Sequence, residues 1–128
     1  MNILLIDDDN DTNFLVDLLI RDLSYVEEYT IKDRAQDALT FLATYEQPLS
    51  IIFVDIKMPE MDGFQFVEQF EEQFRSKFPD TQVFFVTSSA RESDRSRAMD
   101  FLSVKGLILK PLSRIKLKEI HDSLGDPS

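Results

Sequence analysis

The chain has 128 residues, 43% of them hydrophobic and 30% charged, which predicts one domain with enough apolar material to bury its own core. Fourteen basic against 24 acidic residues leave a net charge of −10, which argues against direct nucleic-acid binding and against adhesion to anionic lipid, because both need a basic face. The absence of cysteine excludes disulfides, thiolate zinc sites and thiol nucleophiles; no apolar run approaches the roughly 18 residues of a membrane span, and Met1–Ile6 lacks the basic flank of a signal peptide.

Ile3–Ile6 is a short continuous apolar run ending at Asp7-Asp8-Asp9, and it predicts a strand buried on both faces. A helix follows over Asp11–Leu23, with Asp9 to Asp11 as cap candidates and Phe14, Leu15, Leu18 and Leu19 on one stripe. The mixed run Tyr25–Ile31 predicts an edge strand. Arg34–Tyr45 places Ala35, Ala38, Leu39 and Leu42 on one helical face. Ile51–Val54 is a second buried strand and ends at Asp55. Beyond Gly63, the residues Phe66, Val67, Phe70 and Phe74 recur at helical spacing and, with Phe78, form one core-facing stripe. Val83–Val86 predicts a strand ending at Thr87-Ser88. Arg91–Leu102 reads as a polar helix with a thin apolar face, and Leu107–Leu109 as a strand ending at Lys110-Pro111. Ser113–Leu124 predicts the last helix, with Ser113 as its cap and Ile115, Ile120 and Leu124 as its apolar positions. The lone His121 on it is expected to pack or to face solvent. No repeat or linker interrupts the chain; residues 1–122 are expected to form the domain and 123–128 a tail.

Strands alternating with helices predict an α/β fold built on a parallel sheet with helices on both faces. Ligands of such folds sit outside the carboxyl ends of the strands. Those ends carry Asp7, Asp8, Asp55, Thr87 and Lys110, which is a carboxylate cluster with a hydroxyl and an ammonium. Clustered carboxylates raise one another's pKa, and a divalent cation relieves the repulsion. Oxygen-only ligation without His or Cys points to Mg²⁺ or a similar hard ion. Lys110 supplies a point charge and Thr87 a donor for phosphoryl oxygens, so the set suits phosphoryl transfer with Asp55 as the nucleophile.

These stretches resemble the response-regulator receiver domain of two-component signalling. The matching segments are Ile3-Leu-Leu-Ile-Asp-Asp8, Ile51-Ile-Phe-Val-Asp-Ile-Lys-Met-Pro-Glu-Met-Asp-Gly63, Val86-Thr-Ser88 and Leu109-Lys-Pro111, in the family's order. The resemblance implies a flavodoxin-like (βα)₅ sandwich with strand order 2-1-3-4-5. It implies that Asp55 accepts a phosphoryl group from a sensor histidine kinase or a histidine phosphotransfer protein. Asp7, Asp8, Asp55 and the Lys57 backbone carbonyl would hold Mg²⁺, with Mn²⁺ as an alternative. Thr87 would be the switch hydroxyl beside Ser88, and Lys110 the lysine that pairs with the phosphoryl group. Pro59, Gly63 and Pro111 would shape loops, Lys110-Pro111 as a cis peptide, and Asp62 would cap the following helix. The family commonly carries an aromatic three residues before the lysine. Here that position is Leu107, which has no ring hydroxyl to offer.

Residues 91–128 carry eight basic and six acidic groups, whereas residues 1–90 carry six and 18. That imbalance reads either as solvated helix faces or as a docking face, and the resemblance implies that a downstream protein docks through residues 91–122. The resemblance further implies a cytoplasmic phosphorelay switch, monomeric or dimerising on phosphorylation, with no turnover of an external substrate. The chain ends just after the fifth helix, so docking rather than a built-in output domain is expected, although a receiver excised from a longer protein would read the same. An Asp-nucleophile phosphatase of the haloacid-dehalogenase type would need an acid where Lys57 stands. A degenerate scaffold would lack one of the acids or the lysine, and a nucleotide binder would need a glycine-rich phosphate loop.

Overall fold

The structure is a computed structural model and describes residues 1–124. Five strands alternate with five helices: β1 (Asn2–Ile6), α1 (Asn10–Ile20), β2 (Glu28–Lys32), α2 (Ala35–Thr44), β3 (Ile51–Val54), α3 (Gly63–Gln73), β4 (Gln82–Thr87), α4 (Glu92–Ala98), β5 (Val104–Leu109) and α5 (Arg114–Leu124). The strands form one parallel sheet in the order β2-β1-β3-β4-β5, which is the expected flavodoxin-like topology. Helix α5 runs through Leu124, the end that the sequence predicts for it. Residues 125–128 of the expected tail lie outside the described residues. No helix among the described residues is long and apolar enough to cross a membrane.

The alternation of side chains along each strand divides the core in two. Leu4 and Ile6, with Ile52 and Val54, pack under α2 and α3. Ile3 and Leu5, with Ile51 and Phe53, pack against α1 and α5. Every residue of β1 and β3 is buried, which is why both read as unbroken apolar runs, whereas edge strand β2 is only partly covered. Helix α2 buries Ala35, Ala38, Leu39 and Leu42, and α3 buries Phe66, Val67 and Phe70. Both faces are as the periodicity predicts.

Three helices depart from expectation. On α1 the stripe of Phe14, Leu15 and Leu18 faces outward, at 62%, 60% and 42% exposure, and the core takes Val16 and Ile20. The run from Phe14 to Ile20 is apolar around most of the helix, so periodicity alone does not choose the buried side. On α5 the buried residues are Leu117 and Ile120, and Ile115 is 75% exposed; two residues before Leu117, it points about 200° away from it. Helix α4 is shorter than expected, with Ala98 as its buried residue, and leaves Leu102 exposed beyond its end.

Candidate functional site

Pairing of β1 with β3 places Ile6 opposite Val54, and the Asp55 N–H donates to the Ile6 carbonyl at 2.9 Å. Asp7 and Asp55 therefore leave the sheet side by side, at the point between β1 and β3 where the strand order reverses. One carboxylate oxygen each from Asp7, Asp8 and Asp55 lies within 4.8 Å of the others. Asp7 and Asp55 are buried and Asp8 is exposed. Lys110 reaches in from the end of β5. Its Nζ lies 2.7 Å from Asp7 Oδ2 and 3.4 Å from Asp55 Oδ2. The Lys110 N–H donates to the Thr87 carbonyl at 2.8 Å, which fixes the lysine next to the end of β4, and the Lys110-Pro111 peptide is cis. Thr87 is buried, and its hydroxyl donates to the Ser89 carbonyl at 3.1 Å.

Short-range hydrogen bonds stiffen the loops around this cluster. Asp7 Oδ1 accepts the Asp9 N–H at 2.9 Å. Asp9 caps α1, accepting the Asp11 N–H and the Thr12 hydroxyl at 3.0 Å each, the role its position predicts. Asp62 and Gln65 form a capping box at the start of α3, with bonds of 2.8 and 2.9 Å. Between Asp55 and that box the loop turns through Glu60 at φ 69°, a left-handed conformation seldom held by a residue with a Cβ. Arg34 bonds the Glu60 carboxylate at 2.8 Å.

Gly63 is the tight point of the loop. Its N–H donates to the Ile56 carbonyl at 2.7 Å, and a Cβ there would lie 2.2 Å from the Asp55 carbonyl oxygen and 3.0 Å from Ile56 Cα. These are backbone atoms and cannot turn aside. Gly63→Ala is expected to cost about 3 kcal/mol, outweighing the roughly 1 kcal/mol of helix propensity that alanine brings. A urea titration that left the midpoint unchanged would show that the loop relaxes around the methyl.

Burial pushes the Asp55 carboxyl above its usual range, and the Asp7 charge adds to that; Lys110 opposes both. Burial works against the Lys110 charge, yet its bonds to Asp7 and Asp55 prevail and raise its pKa. The donor set is all oxygen and carries more negative charge than one lysine balances, which fits a hard divalent cation such as Mg²⁺. Adding Mg²⁺ to chelator-treated protein at ten times its dissociation constant is expected to stabilise the fold by about 1.4 kcal/mol, a rise of about 5 °C in melting temperature. A melting curve indifferent to Mg²⁺ would count against cation binding.

The structure thus brings Asp7, Asp8, Asp55, Thr87 and Lys110 to one edge. Ser88 and Lys57 are exposed at that edge, and Pro59 lies in the exposed part of the β3–α3 loop. Leu107 packs into the core layer of α2 and α3. In that layer Phe64, Phe85 and Phe101 associate, with ring centroids 5.0 to 6.4 Å apart. His121 stacks on Tyr25 at 4.3 Å, the packing role expected of it. Sequence reasoning passed over Asn13, whose side chain bonds the Asp7 carbonyl at 2.7 Å. Its only sequence signal is an amide in the first turn after an acidic triplet.

A parallel five-stranded sheet thus carries an acidic cluster and a lysine at its switch point. The family model for the response regulator receiver domain matches residues 3–122, and the chain belongs to that family. It is 35% identical over 100 residues to an uncharacterised 14.6 kDa protein of Leptolyngbya boryana, a match covering 77% of this chain and 71% of that one. A hybrid signal transduction histidine kinase of Dictyostelium discoideum is 32% identical over 75 residues, 58% of this chain but 4% of the kinase. Among solved structures, a two-component response regulator from Cytophaga hutchinsonii superposes with a TM-score of 0.85 at 29% identity, covering 96% of this chain and 95% of that one.

Proposed function

We infer that this receiver accepts a phosphoryl group on Asp55 and works as a phosphorylation-controlled switch in a phosphorelay. The observation that carries this reading is Lys110 Nζ lying 2.7 Å from Asp7 and 3.4 Å from Asp55 within a cluster of three carboxylates. An Asp55 carboxylate oxygen attacks phosphorus as the bond to the donor's imidazole nitrogen breaks; the imidazole leaves and an acyl phosphate forms. Asp7, Asp8, Asp55 and the Lys57 carbonyl would hold the Mg²⁺ that neutralises charge on the transferring group. Lys110 offers its ammonium to one phosphoryl oxygen, and Thr87 gives up its bond to Ser89 to offer its hydroxyl to another. Only the difference in how well the two conformations hold the phosphoryl group shifts the equilibrium between them. Water later hydrolyses the acyl phosphate, and no external substrate is turned over.

The donor in this reading is a sensor histidine kinase or a histidine phosphotransfer protein. Phe14, Leu15 and Leu18, exposed on α1 within ten residues after Asp8, offer it an apolar seat on the helix that follows the acidic cluster. The downstream protein docks on residues 91–122, a stretch that exposes Met99, Leu102, Leu109 and Ile115. The test is incubation with acetyl phosphate, with and without Mg²⁺, followed by intact mass. A labile adduct that requires Mg²⁺ is expected. If none forms with acetyl phosphate or with a phosphorylated histidine kinase, the reading fails.

A further inference from the structure

Asp8 is the exposed member of the acidic cluster, and its place is set by the peptide joining it to Asp7. Asp7 itself is held at several points. Its N–H donates to the Lys32 carbonyl at 3.1 Å, Oδ1 accepts from Asp9 at 2.9 Å, and Oδ2 meets Lys110 at 2.7 Å. The Asp7 carbonyl, which belongs to the Asp7–Asp8 peptide, accepts the Asn13 side-chain N–H at 2.7 Å. The amide orientation is unambiguous, because a flipped Asn13 would set its oxygen against the carbonyl oxygen of Asp7.

The same bond leaves Asn13 Oδ1 buried with no hydrogen-bond partner. A buried orphan acceptor is destabilising, and leucine has the same branching without one and with better helix propensity. Stability alone therefore gives little reason for an asparagine here. What it supplies is a donor, in the first turn of α1, aimed at the peptide plane between two acids of the cluster.

We propose that Asn13 is a positioning residue for the cation site, holding the Asp7–Asp8 peptide so that the Asp8 carboxylate stays within ligating distance of Asp7 and Asp55. The proposal rests on the phosphoryl-acceptor reading and deepens it. It resembles the outer-shell contacts that orient metal ligands elsewhere, whose loss weakens binding by about 10- to 100-fold. Because the Asn13 contact acts through the backbone, the low end of that range is expected.

The experiment is calorimetric titration of Mg²⁺ into the wild-type chain, Asn13→Leu, Asn13→Ala and Asn2→Leu, with thermal melts of each in chelator. Asn2 is the internal control. Its amide donates to the Pro48 carbonyl at 2.7 Å and leaves an orphan buried Oδ1 in the same way, but at the other end of β1. Asn13→Leu is expected to bind Mg²⁺ about tenfold more weakly while melting at or slightly above the wild-type temperature in chelator. Acetyl phosphate labelling of that variant should be slow at limiting Mg²⁺ and recover at saturating Mg²⁺. Asn13→Ala should show the same loss of affinity even where its melting temperature falls, and Asn2→Leu none.

Affinities of folded Asn13 variants within twofold of wild type would overturn the proposal, as would equal losses in Asn2→Leu. A wild-type chain that binds Mg²⁺ and takes the phosphoryl group beside such unaffected variants leaves the acceptor reading standing. A wild-type chain that does neither removes both.

Discussion

Asp55→Asn, treated with acetyl phosphate and Mg²⁺, is expected to keep its intact mass while the wild-type chain gains about 80 Da. The amide has no anionic oxygen to attack phosphorus, and the chain has no cysteine to take its place. Asp7 is tied to Lys110 and Asp9, which leaves exposed Asp8 as the other carboxylate within reach. An adduct persisting in Asp55→Asn would therefore move the acceptor to Asp8 and overturn the assignment. The same variant carries a stability prediction of opposite sign. A carboxyl whose pKa is raised by folding binds its proton more tightly in the folded than in the unfolded chain. Its contribution to stability is full below the ordinary value near 3.8 and is lost as pH rises through the raised folded value. Asparagine cannot make that loss. In chelator, Asp55→Asn should melt above wild type at pH 7, and the two curves should converge toward pH 3.5. A variant less stable than wild type at pH 7 would mean that the Lys110 contact outweighs burial and repulsion.

Lys110→Met is expected to damage both stability and phosphoryl acceptance. The Asp7 side chain is 2% exposed, and Lys110 is its cationic partner at 2.7 Å. Removing one member of a buried pair strands the other, a loss of about 3 kcal/mol. Methionine keeps most of the aliphatic stem, so lost packing contributes little. The cost should shrink when Mg²⁺ is added, because a divalent cation can stand in for the missing charge beside Asp7. Acetyl phosphate labelling should not recover with it, since no ammonium remains for the phosphoryl oxygen. Urea titrations with and without Mg²⁺, beside labelling rates, separate the two effects. Stability equal to wild type in chelator would mean that Asp7 takes up a proton or turns to water once the lysine is gone.

How much of this was legible before the structure depends on what each feature rests on. Runs such as Ile3–Ile6 and Ile51–Val54 declare a strand buried on both faces, and the polar residue ending each run then stands at the sheet edge. The alternation of runs with helix-length segments implies a parallel sheet, and a parallel sheet brings Asp7, Asp55, Thr87 and Lys110 together without further information. The helical faces of α2 and α3 were equally readable, because their apolar residues occupy a single arc.

Helix α1 was not readable in that way. Phe14, Leu15, Val16, Leu18, Leu19 and Ile20 surround most of its circumference, and only contact with Ile3, Leu5 and α5 selects Val16 and Ile20 for the core. Ile115 lies outside for a different reason, since an apolar residue on a mostly polar helix need not face inward. The role of Asn13 lay further from view. A side-chain amide bonding a carbonyl six residues earlier depends on how α1 folds back over the end of β1, which no local pattern encodes. The sequence by itself determined the order of elements and the identities of the acids and the lysine, because these follow from periodicity and from strand ends, and its motifs carried the resemblance to the family. Only the tertiary structure decided that Lys110 sits closer to Asp7 than to Asp55, that Gly63 packs against the Asp55 backbone, and which apolar residues remain outside. Those are outcomes of packing between segments far apart in the chain, where sub-ångström distances decide the energy.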